Sequence, residues 1–295
     1  MSKTGSAPAM VTVLASGSLA TVQDLGRPGY AAIGVTRSGA ADVPALRLAN
    51  RLVGNAESLA AIEATFGGVV LRFHGATLMA LTGAPVPADV DGRAIGMNGP
   101  VWVDSGAILR LGIPSSGLRS YIAIRGGIAV QEVLGSRATD LLSGLGPAPL
   151  SAGRELPVGP APADWPSVTQ APVGGLAEVP ILRLRPGPRD DWFEPDALQT
   201  LCGHAYEVTS ESNRVGLRLA GPQLRHRVSR ELPSEAMVRG AIQVPASGKP
   251  VLFHVDHPVT GGYPVIGVVE EADLAAAAQA RPGSRVRFRC LPGLR

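Results

Sequence analysis

Residues 67–128, GGVVLRFHGATLMALTGAPVPADVDGRAIGMNGPVWVDSGAILRLGIPSSGLRSYIAIRGGI, decide the fold. Short apolar runs alternate there with turn dipeptides. Asp91-Gly92 and Asn98-Gly99 are hairpin signals, because glycine tolerates the positive φ of tight turns. Ser105-Gly106, Ser116-Gly117 and Gly126-Gly127 add further turns. Turns spaced roughly seven to eleven residues apart leave room only for short antiparallel strands, as in a sandwich or barrel.

Outward from this stretch, Val11–Leu14 reads as a strand, and the small polar residues before it as a frayed end. Asp42–Val53 reads as a helix. Pro44 suits its first turn, Gly54 its stop, and Ala45, Leu48, Ala49 and Leu52 form one apolar stripe. Glu270–Ala280 is a second, Ala-rich helix stopped by Pro282-Gly283. Residues 144–175 are rich in Pro, Gly and Ala and form the connection to a second β-rich region, Val179–Arg289. The expected domains are therefore residues 11–160 and 176–295. The fragments VTRS…LRLAN (Val35–Asn50) and VTSES…LRLAG (Val208–Gly221) are a faint echo between the two halves.

The composition sets limits. With 295 residues, the chain is long enough for two domains. Hydrophobic residues make up 45% and charged residues 17%, the reverse of a disordered composition. Aromatics at 4% argue against stacking platforms for nucleic acid. The net charge is +3, and all the cations but Lys3 and Lys249 are arginines. The basic group Arg225, His226, Arg227 and Arg230 reads as a solvated strand edge or loop. No apolar run approaches a membrane span, and MSKTGSAPAM has no apolar secretory core, so a soluble cytoplasmic protein is expected. Cys202 and Cys290 show no metal or redox spacing and read as free thiols.

Common catalytic signatures are missing. In SGKP, Pro250 occupies the position where a phosphate loop needs Ser or Thr, and neither GxSxG, HExxH nor GxGxxG occurs. HVDH (His254–His257) is the densest group of possible metal ligands. Strand alternation puts His257 opposite His254 and Asp256, so no metal site is expected.

Specificity comes from a series of motifs in order: TVQDLGRPGY (Thr21–Tyr30), SGAADVPALRLANRLVGN (Ser38–Asn55), IEATFGG (Ile62–Gly68), LTGA (Leu81–Ala84), RSYIAIRGGI (Arg119–Ile128), LGSRATD (Leu134–Asp140), SNRVGLRLAG (Ser212–Gly221), GAIQVPASGKP (Gly240–Pro250) and DHPVTGGYP (Asp256–Pro264). This order resembles the biotin-dependent carboxyltransferase, or allophanate hydrolase subunit 2, family. The resemblance implies two tandem cyclophilin-like β-barrel domains with a few short helices. It also implies a role in a complex. One family activity is that of the C component of an ATP-dependent 5-oxoprolinase, which opens 5-oxo-L-proline to L-glutamate; this component is inactive alone. Its implied partners are a subunit 1 type protein (the B component of 5-oxoprolinase) and a LamB/YcsF-type protein (the A component), with ATP and Mg shared among them. Two other family activities stay open: a carboxyltransferase using carboxybiotin on urea or a similar amide, and a non-enzymatic partner of a kinase inhibitor. Neither lysine has the flanking methionines of a biotin attachment site, so biotin would come on another protein. The chain departs from the family where His257-Pro258-Val259 replaces Arg-Gln-Thr.

The expected chemistry needs donors for a carboxylate or phosphate and a carboxylate to position water. Arg27, Arg125, Arg137 and Arg214 sit in motif turns and suit the first role. Asp256 and Asp24 suit the second, and the Tyr263 hydroxyl suits a developing oxyanion. Gln243 and Thr260 are candidate pocket residues, and Gly261-Gly262 would admit a ligand to the backbone. Structural alternatives stand beside these: an Arg27–Asp24 pair, Arg214 as a brace, Asn50 capping a loop, and Glu63 in an ion pair.

Overall fold

In the computed structural model, which describes residues 9–291, the chain divides into two units. The frayed end is expected over residues 1–10; residues 1–8 lie outside the described residues, and Met10 already pairs with Pro157. The first unit holds the described residues up to Gly26, then Val43–Thr139 and Leu145–Gly174. The second holds Arg27–Asp42, Asp140–Gly144 and the described residues from Gly175 onward. Residues 27–42 and 140–144 thus belong to the second unit, although they lie inside the stretch 11–160.

The strands of the first unit are β1 (Met10–Ser16), β2 (Leu19–Gln23), β3 (Ala61–Thr65), β4 (Val69–Phe73), β5 (Thr77–Gly83), β6 (Ala88–Val90), β7 (Arg93–Ile95), β8 (Pro100–Val103), β9 (Ile108–Leu111), β10 (Arg119–Ile124) and β11 (Glu155–Pro157). They form two sheets, ordered β11-β1-β4-β9-β6-β7 and β2-β3-β10-β5-β8. Val13, Leu71 and Leu109 from one sheet join Val22, Ile62, Leu81 and Ile122 from the other in a single apolar core. The expected barrel is here a pair of sheets around one core. Helix α1 (Val43–Leu52) buries Ala45, Leu46, Ala49 and Leu52, and the Thr82 hydroxyl of β5 donates to its Ala45 carbonyl at 2.7 Å.

Asp91-Gly92 makes the expected tight hairpin between β6 and β7, with φ of +50° and +81°. Asn98-Gly99 does not, because β7 and β8 lie in different sheets. Asn98 instead sends its N–H to Leu81 and accepts from Ala171.

In the second unit, β12 (Ile181–Pro186), β13 (Ala205–Val208), β14 (Gly216–Ala220), β16 (Ala241–Gln243), β17 (Val251–Phe253), β19 (Val265–Val269) and β20 (Arg285–Cys290) close into a barrel. β15 (Glu235–Ala236) and β18 (Thr260–Gly261) form a separate ribbon. Closure comes from the parallel pairing of β20 with β12. Alternation fills the barrel: Val286 and Phe288 point in while Arg285 and Arg287 point out. Helices α2 (Ala197–Gly203) and α3 (Leu274–Gln279) add Leu201, Leu274 and Ala277 to this core. The expected second helix is a 3₁₀ turn (Glu271–Asp273) followed by α3. The two echo fragments differ in structure, since LRLAN lies in α1 and LRLA of the second lies in β14.

Candidate functional site

The segment 254–264 runs from β17 to β19, and its two ends meet different surroundings. At the start, Asp256 has no exposed surface. Arg214 grips its carboxylate with Nε at 2.9 Å and Nη2 at 3.1 Å. The Ser38 hydroxyl donates to Oδ1 at 2.6 Å, and the Leu141 N–H to Oδ2 at 3.2 Å. Each carboxylate oxygen therefore has two protein donors. Where the sequence suggests a base, the structure shows Asp256 as the buried counterion of Arg214. Arg214 is committed too, since its Nη2 also donates to Gly39 at 2.6 Å.

The other expected cations have structural duties as well. Arg27 lies 3.9 Å from Asp140, both side chains fully buried, so its acid is Asp140 rather than Asp24. Asp140 also accepts from Leu142, Ser143 and the Ser143 hydroxyl. Arg125 donates to the carbonyls of Val53, Pro162 and Asp164 and lies 4.4 Å above the Trp165 ring. Arg137 donates to Val130 and pairs with Glu132 at 2.6 Å. Asp24, expected as a second carboxylate to position water, accepts from Gly26, the Ser136 hydroxyl and the Arg137 N–H and so caps its loop.

Asn50 and Glu63 follow their structural readings. Asn50 donates to Leu59 at 2.7 Å, and buried Glu63 sits 3.6 Å from Arg119 while accepting from the Tyr121 hydroxyl at 2.7 Å.

His257 does not restore the positive charge of the family's Arg. Burial holds its pKa below the ordinary value and Arg239 pushes the same way, against the hydrogen bond to Pro258 and the charges of Asp256 and Asp140. Its Nδ1 donates to the Pro258 carbonyl at 2.8 Å. Among the described residues, no group of three His, Cys, Asp or Glu side chains is placed to hold a metal ion.

The far end of the segment is open. Gln243 donates to the Tyr263 carbonyl at 3.0 Å and fixes the turn. A Cβ on Gly261 would lie 2.6 Å from the Gln243 amide nitrogen, so a larger residue there displaces the end of that side chain. Thr260 is exposed, and its backbone pairs with Ala236. Tyr263 is 48% exposed, and its hydroxyl has no partner among the described residues. With Gly262 it walls a cleft of about 890 Å³ that Trp192, Arg225, Arg230 and Ser247 also line. Of the expected site residues, the structure brings Tyr263 and Gly262 to this cleft. Asp256 and Arg214 sit together in the buried network, with Arg27 and Asp140 forming a second buried pair in the same unit.

Arg225 and Arg230 were not expected here. Neither has an ion-pair partner among the described residues. Arg230 lies 5.3 Å from the Trp192 ring. Their loop is held by the bridge between Phe193 and His226 and by the Arg227 N–H on Trp192. The sequence does carry a signal: four basic side chains in six residues with one acid, Glu231, after them.

Residues 33–290 match the family described as carboxyltransferase domain, subdomain A and B. The chain belongs to that family. Among its carboxyltransferase-domain relatives, the C subunit of Escherichia coli 5-oxoprolinase is 37% identical over 95% of this chain and 90% of its own length. The solved structure of TTHA0988 superposes with a TM-score of 0.88 at 34% identity. It covers 98% of this chain, which spans 57% of that one. The urea amidolyase of K. lactis superposes with a TM-score of 0.90 at 32% identity over 98% of this chain, which spans 19% of that protein.

Proposed function

We propose that the chain is one component of an ATP-dependent 5-oxoprolinase complex. The observation that carries this is its likeness to the C subunit of the Escherichia coli 5-oxoprolinase over nearly the whole of both chains. Opening a lactam removes amide resonance, and ATP lowers that barrier by phosphorylating the amide oxygen before water attacks the carbon. The four arginines expected at phosphate have guanidinium groups committed within the fold. They do not fit a nucleotide site on this chain, so ATP and Mg belong with the partners, the subunit 1 type and LamB/YcsF-type proteins. This chain's part is to hold the lactam and place the Tyr263 hydroxyl as a donor to developing negative charge. The setting we propose is cytoplasmic; among the described residues no helix is long and apolar enough to cross a membrane.

The likeness to K. lactis urea amidolyase favours a second reading, carboxyl transfer from carboxybiotin to a small amide. Reconstitution separates the two. The purified chain, its candidate partners and the mixture are assayed for ATP-dependent glutamate formation from 5-oxoproline, and for carboxylation of urea with a biotin carboxylase. Glutamate from the mixture and none from the single chain is the expected result. Urea carboxylation without glutamate contradicts it, as does full turnover by the chain alone.

A further inference from the structure

We propose that the cleft beside Tyr263 recognises a small carboxylate, with Arg225 and Arg230 as its anchoring cations. The arginines expected for this role are committed inside the fold. Arg225 and Arg230 instead reach a cleft and meet no carboxylate within ion-pair distance among the described residues. A guanidinium offers a planar fork that matches a carboxylate. The lining Glu231 also has no ion pair with either of them.

The lining favours a small carboxylate through its side chains, which include those of Arg225, Arg230, Tyr263, Ser229 and Ser247. Of the lining backbone donors, Leu224 N–H donates to Gly248, Gly248 N–H to Pro245 and Val228 N–H to Trp192. Leu224, Val228 and Leu232 supply apolar wall for a compact carbon skeleton. A cleft of about 890 Å³ is within the usual range for small-molecule sites. Naming 5-oxoproline as the occupant rests on the function proposed above; the preference for a carboxylate does not.

The test is calorimetric titration of the full chain with 5-oxo-L-proline, L-glutamate and acetate, with the neutral lactam 2-pyrrolidinone, and with inorganic phosphate and ATP. Arg225→Gln, Arg230→Gln and the double variant are titrated beside the wild type. Both side chains are exposed, so unchanged melting is expected and is checked. The expected result is saturable carboxylate binding weakened about tenfold or more by each substitution, the scale of one charge-assisted hydrogen bond. 2-Pyrrolidinone binds at least about tenfold more weakly than 5-oxoproline, by the same reasoning. Equal binding by wild type and double variant, carboxylate binding to neither, or a preference for phosphate or ATP overturns the proposal. Arginine-dependent binding of another carboxylate but not 5-oxoproline leaves the cleft assignment standing and counts against the 5-oxoprolinase reading. A reconstituted complex that opens 5-oxoproline with unchanged KM in the double variant does the reverse.

Discussion

His257 shows how burial rather than residue type sets a charge. Its folded pKa lies below its ordinary 6.5, with desolvation the leading cause. As pH falls past 6.5, the unfolded chain takes up the proton first. The contribution to stability is full above that pH and declines below it. Melting temperature should therefore drop between about pH 7.5 and 5.5 by more in the wild type than in His257→Gln. Parallel pH slopes would show that the imidazole is not desolvated. The same buried setting explains why the role of Asp256 is not legible in the sequence. An acid next to a Gly-rich turn reads as a water-positioning group. Its partners are Arg214, 42 residues away, and Ser38, 218 residues away, and no local pattern reports contacts at that range. Glu63 is legible because its apolar neighbours leave a carboxylate only an internal partner.

At the scale of elements, legibility follows periodicity. Helix α1 is readable from its stripe, although the fully buried leucine is Leu46 and Leu48 is only half-buried. Both residues border the same apolar face, and which one sinks deeper depends on what covers it. Asp91-Gly92 forms its hairpin because the strands on either side belong to one sheet. Asn98-Gly99 has the same local chemistry, with φ of +60° at Asn98, but the chain there changes sheets. A turn dipeptide specifies a reversal and not the partner strand. β11 is hidden inside the Pro- and Gly-rich connection because three residues are too few to show alternation; pairing with β1 makes it a strand. α2 is hidden for the same reason, at seven residues inside a β-rich region.

At the scale of the molecule, the mainly β architecture and two cores are legible, but the discontinuity of the second unit is not. Residues 27–42 and 140–144 bring Arg27, Ser38, Asp140 and the Leu141 N–H to that unit, and two of these groups complete the shell of Asp256. A fragment of residues 176–295 would keep Arg214 and Asp256 but lose Ser38 and Leu141. It should therefore show no cooperative melt, or one well below that of the full chain. A fragment that melts like the intact protein would contradict the assignment of those two segments.

We propose that the segment 254–264 divides its labour, with Asp256 holding the fold and Tyr263 serving the ligand. Melting temperature and turnover of Asp256→Asn and Tyr263→Phe, measured together in the reconstituted complex, test it most directly. Asp256→Asn leaves the Arg214 charge buried without its counterion and should cost about 3 kcal/mol or more, lowering stability and activity together. Tyr263→Phe removes one hydroxyl from a half-exposed side chain. It should change stability by less than about 0.5 kcal/mol and lower turnover by ~10²-fold, the scale of one oxyanion donor. An Asp256→Asn protein that melts normally but has lost turnover, or a Tyr263→Phe protein that turns over normally, would contradict the account.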